Sequence, residues 1–151
     1  VTAVITRAGV AQAERIARLH AACFTDGWDA PSIARLLSGP GGFALIAAGA
    51  EGDVGFALLQ CVVPEAELLS IGTVPAARRS GLGRALLQRA AGELAATGAD
   101  TMFLDVAADN APALGLYRAL GFGDMSSRKR YYPGAIDAIV MRAGLAAIAG
   151  A

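Results

Sequence analysis

The segment Arg78-Arg79-Ser80-Gly81-Leu82-Gly83-Arg84 gathers residue types suited to holding a phosphate-bearing ligand. It follows the apolar run Leu68-Leu69-Ser70-Ile71-Gly72-Thr73-Val74 and leads into Leu82, Leu86, Ala90 and Leu94, apolar at helical spacing. A strand that enters such a turn, and a helix that leaves it, bring unpaired N–H groups and the positive end of a helix dipole to one point. Gly81 and Gly83 lack a Cβ, so an anion could approach their backbone, while Arg78, Arg79 and Arg84 supply neutralising charge. The pattern fits a pyrophosphate cradle. It fits equally an ordinary helix start with two glycines and solvated arginines. Two common nucleotide motifs are excluded. No Lys-Ser/Thr pair closes the turn, and Leu86 stands where a dinucleotide fingerprint has its third glycine.

Composition narrows the setting. A polypeptide of 151 residues is expected to be one domain, residues 1–151, with a substantial core. No uninterrupted apolar run approaches the roughly 20 residues needed to cross a bilayer, and Val1 to Val10 lacks the layout of a signal peptide, so no membrane partner is expected. Thirteen basic residues balance thirteen acidic ones, which argues against bulk nucleic-acid binding. Cys23 and Cys61 have no metal-type spacing and read as buried thiols of a reducing cytoplasm. His20 is the only histidine, and with Ile16, Leu19 and Cys23 around it reads as a helix residue at the edge of a core. Zinc chemistry and a Ser-His-Asp mechanism therefore have little support.

These residues need elements to position them. Thr2 to Arg7 reads as a first strand, and Ala11 to Cys23 as a helix that Phe24-Thr25-Asp26-Gly27-Trp28 breaks. Asp29 caps a second helix with Pro31 in its first turn, and Ser38 to Gly42 ends it. Phe43 to Ala48 and Val54 to Val63 read as a hairpin, and Ala66 to Val74 as the next strand. The glycine-turn helix spans about Gly81 to Ala96, give or take ~2–4 residues. Thr101 to Val106 is a buried strand, and Asp109-Asn110 precedes a helix from Ala111 to Leu120 that Gly121 stops. Phe122 to Arg130 and Ala135 to Arg142 close the sheet, and the Ala/Gly-rich tail 143–151 is expected to fray. The order predicts a mixed α/β sheet flanked by helices.

Three blocks in this order resemble the GNAT superfamily of N-acetyltransferases. They are Arg78-Arg79-Ser80-Gly81-Leu82-Gly83, Phe103-Leu104-Asp105-Val106 with Asp109-Asn110, and Ala113-Leu114-Gly115-Leu116-Tyr117-Arg118-Ala119-Leu120-Gly121-Phe122. A narrower resemblance, to bacterial ribosomal-protein alanine N-acetyltransferases of the RimI type, rests on Arg128-Lys129-Arg130-Tyr131-Tyr132-Pro133, on Asp137-Ala138-Ile139-Val140-Met141, and on Phe24 and Trp28. The resemblance implies a GNAT fold: a mixed, mostly antiparallel sheet with about four helices, in which two splayed parallel strands hold acetyl-coenzyme A.

The resemblance also implies roles. Backbone groups from Arg79 to Arg84 would hold the pyrophosphate, and those of Ile71 and Thr73 the pantetheine arm. Asn110 would contact that arm, cap a helix, or do both. Tyr117 would donate a proton to the departing thiolate, or serve as a core aromatic. Asp105 stands where the ribosomal-protein branch usually has Glu. It would act as general base through water, orient the acceptor ammonium, or make local hydrogen bonds only. Glu67 is the fallback base. Phe24, Trp28, Tyr131 and Tyr132 are candidate acceptor walls. The basic run Arg128 to Arg130 reads as a solvated face or, if functional, as favouring acceptors with acidic or carbonyl-rich first residues. The expected acceptor is a protein N-terminus, that of a ribosomal small-subunit protein. The alternatives are a small amine and a non-catalytic coenzyme A-binding module. No metal and no nucleic acid are expected, and a monomer or weak dimer is.

Overall fold

The computed structural model describes residues 2–151; Val1, which the sequence reading places in the domain, lies outside them. The described residues form β1 (Val4–Ala8), α1 (Ala13–Cys23), α2 (Ala30–Ser38), β2 (Gly42–Gly49), β3 (Gly52–Val62), β4 (Glu65–Thr73), α3 (Leu82–Ala95), β5 (Thr101–Ala107), α4 (Ala111–Ala119), β6 (Gly123–Tyr132), β7 (Ile136–Gly144) and α5 (Leu145–Gly150). The expected element order is thus present, with ends shifted by a few residues. Asp29 caps α2 as expected, its Oδ1 accepting from the Ser32 N–H at 2.8 Å.

The sheet has seven strands in the order β1-β2-β3-β4-β5-β7-β6. Every neighbouring pair is antiparallel except β4 and β5. Alternation along β2 sorts side chains to two cores. Phe43, Leu45 and Ala47 join the cluster that contains α3 and α5 residues, while Ala44 and Ile46 join Ile16, Leu19 and Ile33 of α1 and α2. The helices therefore cover both sheet faces. On α3 the stripe Leu82, Leu86, Ala90 and Leu94 is buried. Gly55 lets this helix lie close, since a Cβ there would meet Leu82 Cδ2 at 3.0 Å.

The parallel pair is short. Only Glu65↔Thr101, Ala66↔Met102 and Glu67↔Phe103 are matched between β4 and β5. Beyond them β4 continues along β3 to Thr73↔Gly55, and β5 continues along β7 to Ala107↔Ala138. The two strands open like a V. Leu58 pairs with Ser70 and Leu59 with Leu68, so Leu69 is an extra residue just after the last β4–β5 pair. Such a bulge bends its strand and raises its twist, which turns β4 away from β5.

The tail corrects the sequence expectation. Residues 143–151 do not fray: they finish β7 and form α5. Leu145 and Ile148 are buried with α3 residues, and Gln88 Nε2 donates to the Ala151 carbonyl at 2.7 Å. Two large apolar residues three apart anchor a segment whose alanine and glycine content suggested none. Ile148→Ala should lower the unfolding free energy by about 2–5 kcal/mol, read as a lower urea midpoint at unchanged slope. An unchanged midpoint would show that α5 is not anchored.

Candidate active site

A cleft of about 680 Å³ opens at the wide end of the V. Its floor comes from Ile71, Gly72 and Thr73 of β4, one wall from the Arg78–Arg84 turn, and the other from Asn110, Ala113, Leu116 and Tyr117. A second cavity of about 270 Å³ lies deeper in the V, between Leu68–Ile71 of β4 and Asp105–Ala107 of β5. Phe24, Ile71, Asn110, Ala113 and Tyr117 line both. The two spaces therefore meet at Tyr117.

The backbone prepares the first cleft. Val74 N–H donates to the Val54 carbonyl at 2.9 Å. In an antiparallel ladder alternate residues bond the partner, so Gly72 and Ser70 face β3 while Ile71 and Thr73 direct their N–H and C=O groups into the V. A strand-like ligand would pair there. One such group is already engaged, because Arg78 Nε donates to the Thr73 carbonyl at 3.2 Å. Gly72 is required by packing: a Cβ there would lie 2.8 Å from Phe56 Cε1, 3.0 Å from Cys23 Cβ and 3.1 Å from Phe24 Cε2. Cys23 also lines the cleft, but burial pushes its thiol pKa up despite Arg78 nearby, which makes it a poor nucleophile.

The turn has the backbone an anion site needs. Arg79 and Gly81 have φ of 63° and 81°, and turns with such left-handed residues bring successive N–H groups together. The first bond of α3 runs from Ala85 N–H to the Gly81 carbonyl at 3.0 Å. The N–H groups of Leu82, Gly83 and Arg84 precede it and are left over at the positive end of the helix dipole. A Cβ on Gly81 would meet nothing within 4 Å, so the space over the turn is open to a ligand. Ser80 is the exception among the turn residues: it does not line the cleft, and its hydroxyl donates back to the Ala77 carbonyl.

The side chains at the junction differ in setting. Tyr117 is buried at 7% exposure, with its ring 5.7 Å from that of Phe122. Burial first, and Tyr132 second, push its pKa up to about 12. Asp105 is half-buried on β5, on the opposite side of the strand from Leu104 and Val106. It lines the smaller cavity with Tyr132, whose pKa rises through burial and then through the Asp105 carboxylate. Asn110 combines two positions: its Oδ1 accepts from the Ala113 N–H at 3.2 Å, capping α4, and it lines both spaces.

Other residues singled out from the sequence lie elsewhere. Trp28 is half-buried, packs on the α1 core and lines neither space. Tyr131 is 52% exposed under the Arg128 guanidinium and also lines neither. Glu67 is exposed on the paired stretch of β4, outside both. Lys129 pairs with Asp137 at 3.2 Å. Sequence reasoning missed Ser70, which lines the smaller cavity, and its bond to His20. The one signal was a serine between Leu69 and Ile71 in a mainly apolar strand run. No group of three or more His, Cys, Asp or Glu residues placed to hold a metal occurs among the described residues. None of their helices is long and apolar enough to cross a membrane.

A V-shaped parallel pair, a glycine turn at a helix start and a buried tyrosine at the junction are the marks of one class. The chain belongs to the acetyltransferase (GNAT) family, whose pattern matches residues 13–122. It is 46% identical over 89 residues to the ribosomal protein bS18-alanine N-acetyltransferase of Escherichia coli K12, a match that covers 57% of this chain and 60% of that protein. The chain thus spans less than two thirds of the length of the curated relatives it matches. It is 34% identical over 88 residues to an N-alpha-acetyltransferase of Sulfurisphaera tokodaii, covering 58% of this chain and 53% of the relative. Over the whole fold it superposes on the crystal structure of the E. coli ribosomal-protein-S18-alanine N-acetyltransferase with a TM-score of 0.88 and 31% identity, covering 95% and 94% of the two chains. The fold is also that of Arabidopsis thaliana NAA60 in complex with acetyl-CoA, at a TM-score of 0.83 and 17% identity, covering 95% and 98%.

The turn makes a direct test possible. Gly81→Val should weaken acetyl-coenzyme A binding about tenfold or more, because a hydrogen bond to a charged group is worth about 1.5–3 kcal/mol and the new side chain would cover the anion's approach. Calorimetric titration measures this. Undiminished binding would place the phosphate contacts elsewhere.

Proposed function

We propose that this protein transfers an acetyl group from acetyl-coenzyme A to the N-terminal α-amine of a protein, with a ribosomal small-subunit protein as acceptor. The observation that carries the reading is the meeting of two spaces at Tyr117. One is lined with free strand groups and a phosphate-type turn, and the other with a carboxylate. The fit to the coenzyme rests on features of the chain itself: the outward-facing groups of Ile71 and Thr73, the left-handed Gly81 with open space above it, and Arg78, Arg79 and Arg84 around it. The identity to ribosomal-protein and N-alpha-acetyltransferases supports an α-amine as acceptor. Cytoplasmic location accords with such a target.

When bound, acetyl-coenzyme A supplies an acetyl thioester open to attack by a neutral amine. The protein's part is to bind, orient and move protons. An α-amine has a reference pKa of about 7.7–8, against about 10.4 for lysine, so only modest base assistance is required near neutrality. Asp105, on the wall of the smaller cavity, orients the incoming ammonium and takes its proton through water. Tyr117 keeps its own proton, since burial holds its pKa at about 12. Its hydroxyl makes no hydrogen bond to another side chain or to the backbone among the described residues, which leaves it available to protonate a departing thiolate.

Three outcomes follow. Tyr117→Phe should lower kcat roughly 10²–10⁴-fold, the range for a general acid, with coenzyme affinity nearly unchanged. Unaltered kcat would remove Tyr117 from the chemistry. The pH profile has a defined sign. A raised tyrosine pKa keeps the acid form present at every pH below it, so kcat/KM should climb as the amine deprotonates and then level off without a fall up to pH of about 10. A descending limb below that would mean a different acid. Acetylation confined to free small amines in a panel that includes peptide N-termini would overturn the assigned acceptor.

A further inference from the structure

His20 plays no part in the chemistry above, yet it is buried at 3% exposure. Its ring sits among Phe24, Phe56 and Trp28, with centroids 4.8, 5.0 and 6.4 Å away. Burial there pushes its pKa down and keeps the imidazole neutral at neutral pH. A neutral imidazole has one N–H donor and one lone pair. The Trp28 backbone N–H addresses Nδ1 at 3.4 Å, and a backbone N–H only donates. That contact assigns the lone pair to Nδ1 and the proton to Nε2. Nε2 lies 2.9 Å from Ser70 Oγ, so Ser70 is the acceptor of that bond.

The Ser70 hydroxyl is then left with one hydrogen to give. No protein oxygen among the described residues receives it within bonding distance. Ser70 lines the smaller cavity, across the V from Asp105. A donor on one strand thus faces a carboxylate on the other. An N-terminal residue matches this polarity: its amine suits Asp105, and its carbonyl oxygen, a short reach from the amine, suits a hydroxyl donor. A simple alkylamine has nothing to offer Ser70.

We infer that Ser70 binds the acceptor by donating to the carbonyl oxygen of its first residue, and that His20 is a positioning residue that fixes this donor polarity through Nε2–H. The inference rests on the N-terminal acceptor proposed above. It makes recognition of a peptide end, rather than of any amine, a property of two residues fifty positions apart.

The test compares an alanine-ended peptide with its (E)-alkene isostere, in which the first amide carbonyl is absent. Ratios of KM taken across variants cancel any difference in amine basicity. The unaltered protein should prefer the amide roughly three- to tenfold, the worth of one neutral hydrogen bond. Ser70→Ala should abolish the preference and Ser70→Thr should keep it. His20→Leu should reduce it, and the His20→Leu/Ser70→Ala double variant should match Ser70→Ala alone. Because His20 is the only histidine, its imidazole ¹⁵N shifts report the tautomer without ambiguity, and Nε2–H is expected. Retention of the preference in Ser70→Ala, or an Nδ1–H tautomer, overturns the inference. Turnover of both peptides without preference overturns it and leaves the N-terminal acceptor standing. Turnover of neither peptide overturns both.

Discussion

Everything at the site depends on β4 and β5 pairing for three residues and then parting. A parallel pair that stayed closed would satisfy the backbone of Ile71 and Thr73 within the sheet, and no cleft would exist. The divergence has a local cause in the extra residue at Leu69, two residues after the last pair. It has a global support in the outer neighbours. β3 holds β4 and β7 holds β5 by long antiparallel ladders, so each strand is fixed on one edge while the other edge is open. Unpaired strand groups are costly when buried without a partner. Here they face a water-accessible cleft, where a ligand with its own amides can replace the water.

The two cores keep the V from collapsing. On one face α3 and α5 pack over Leu45, Leu59 and Met102, and on the other α1 and α2 pack over Ile46, Phe56 and Leu58. Close approach at Gly55 and Gly72 sets how near the helices come. Phe24 is held against Phe56 at the exit of α1 and so becomes a wall of both cavities. A side chain at position 72 would displace it. Packing far from any reacting atom thus determines the width of the site.

Polarity within the V is divided by strand. β5 contributes a carboxylate, β4 a hydroxyl and free backbone groups, and α4 a protonated phenol at the point where the spaces meet. Burial acts on each group differently. It keeps Tyr117 an acid, keeps His20 neutral and makes Cys23 unreactive. The arginines of the turn stay at the surface or near it, where a phosphate with its own charge would meet them.

Much of this was legible in the residues alone. Asp29 as a cap, the stripe on α3, the helix-opening glycine turn and the Asn110 to Tyr117 block all rest on local rules of spacing and capping, which act over a few residues and so are written in the chain order. The family followed from the order of those blocks. What the sequence could not reveal depended on distant partners. Trp28 and Tyr131 are aromatic residues in suggestive places, but packing turned one into the core beneath α1 and the other out to solvent. The alanine-rich tail became a helix only because α3 offers a surface for Leu145 and Ile148. His20 and Ser70 are fifty residues apart, and neither carries a sign of the other. The chain determined its elements and the backbone of its glycine turn, because these follow from neighbours in sequence, and the family resemblance implied its candidate acid. The tertiary structure alone decided which side chains share the V and what burial does to their protons, because those depend on contacts made across the sheet.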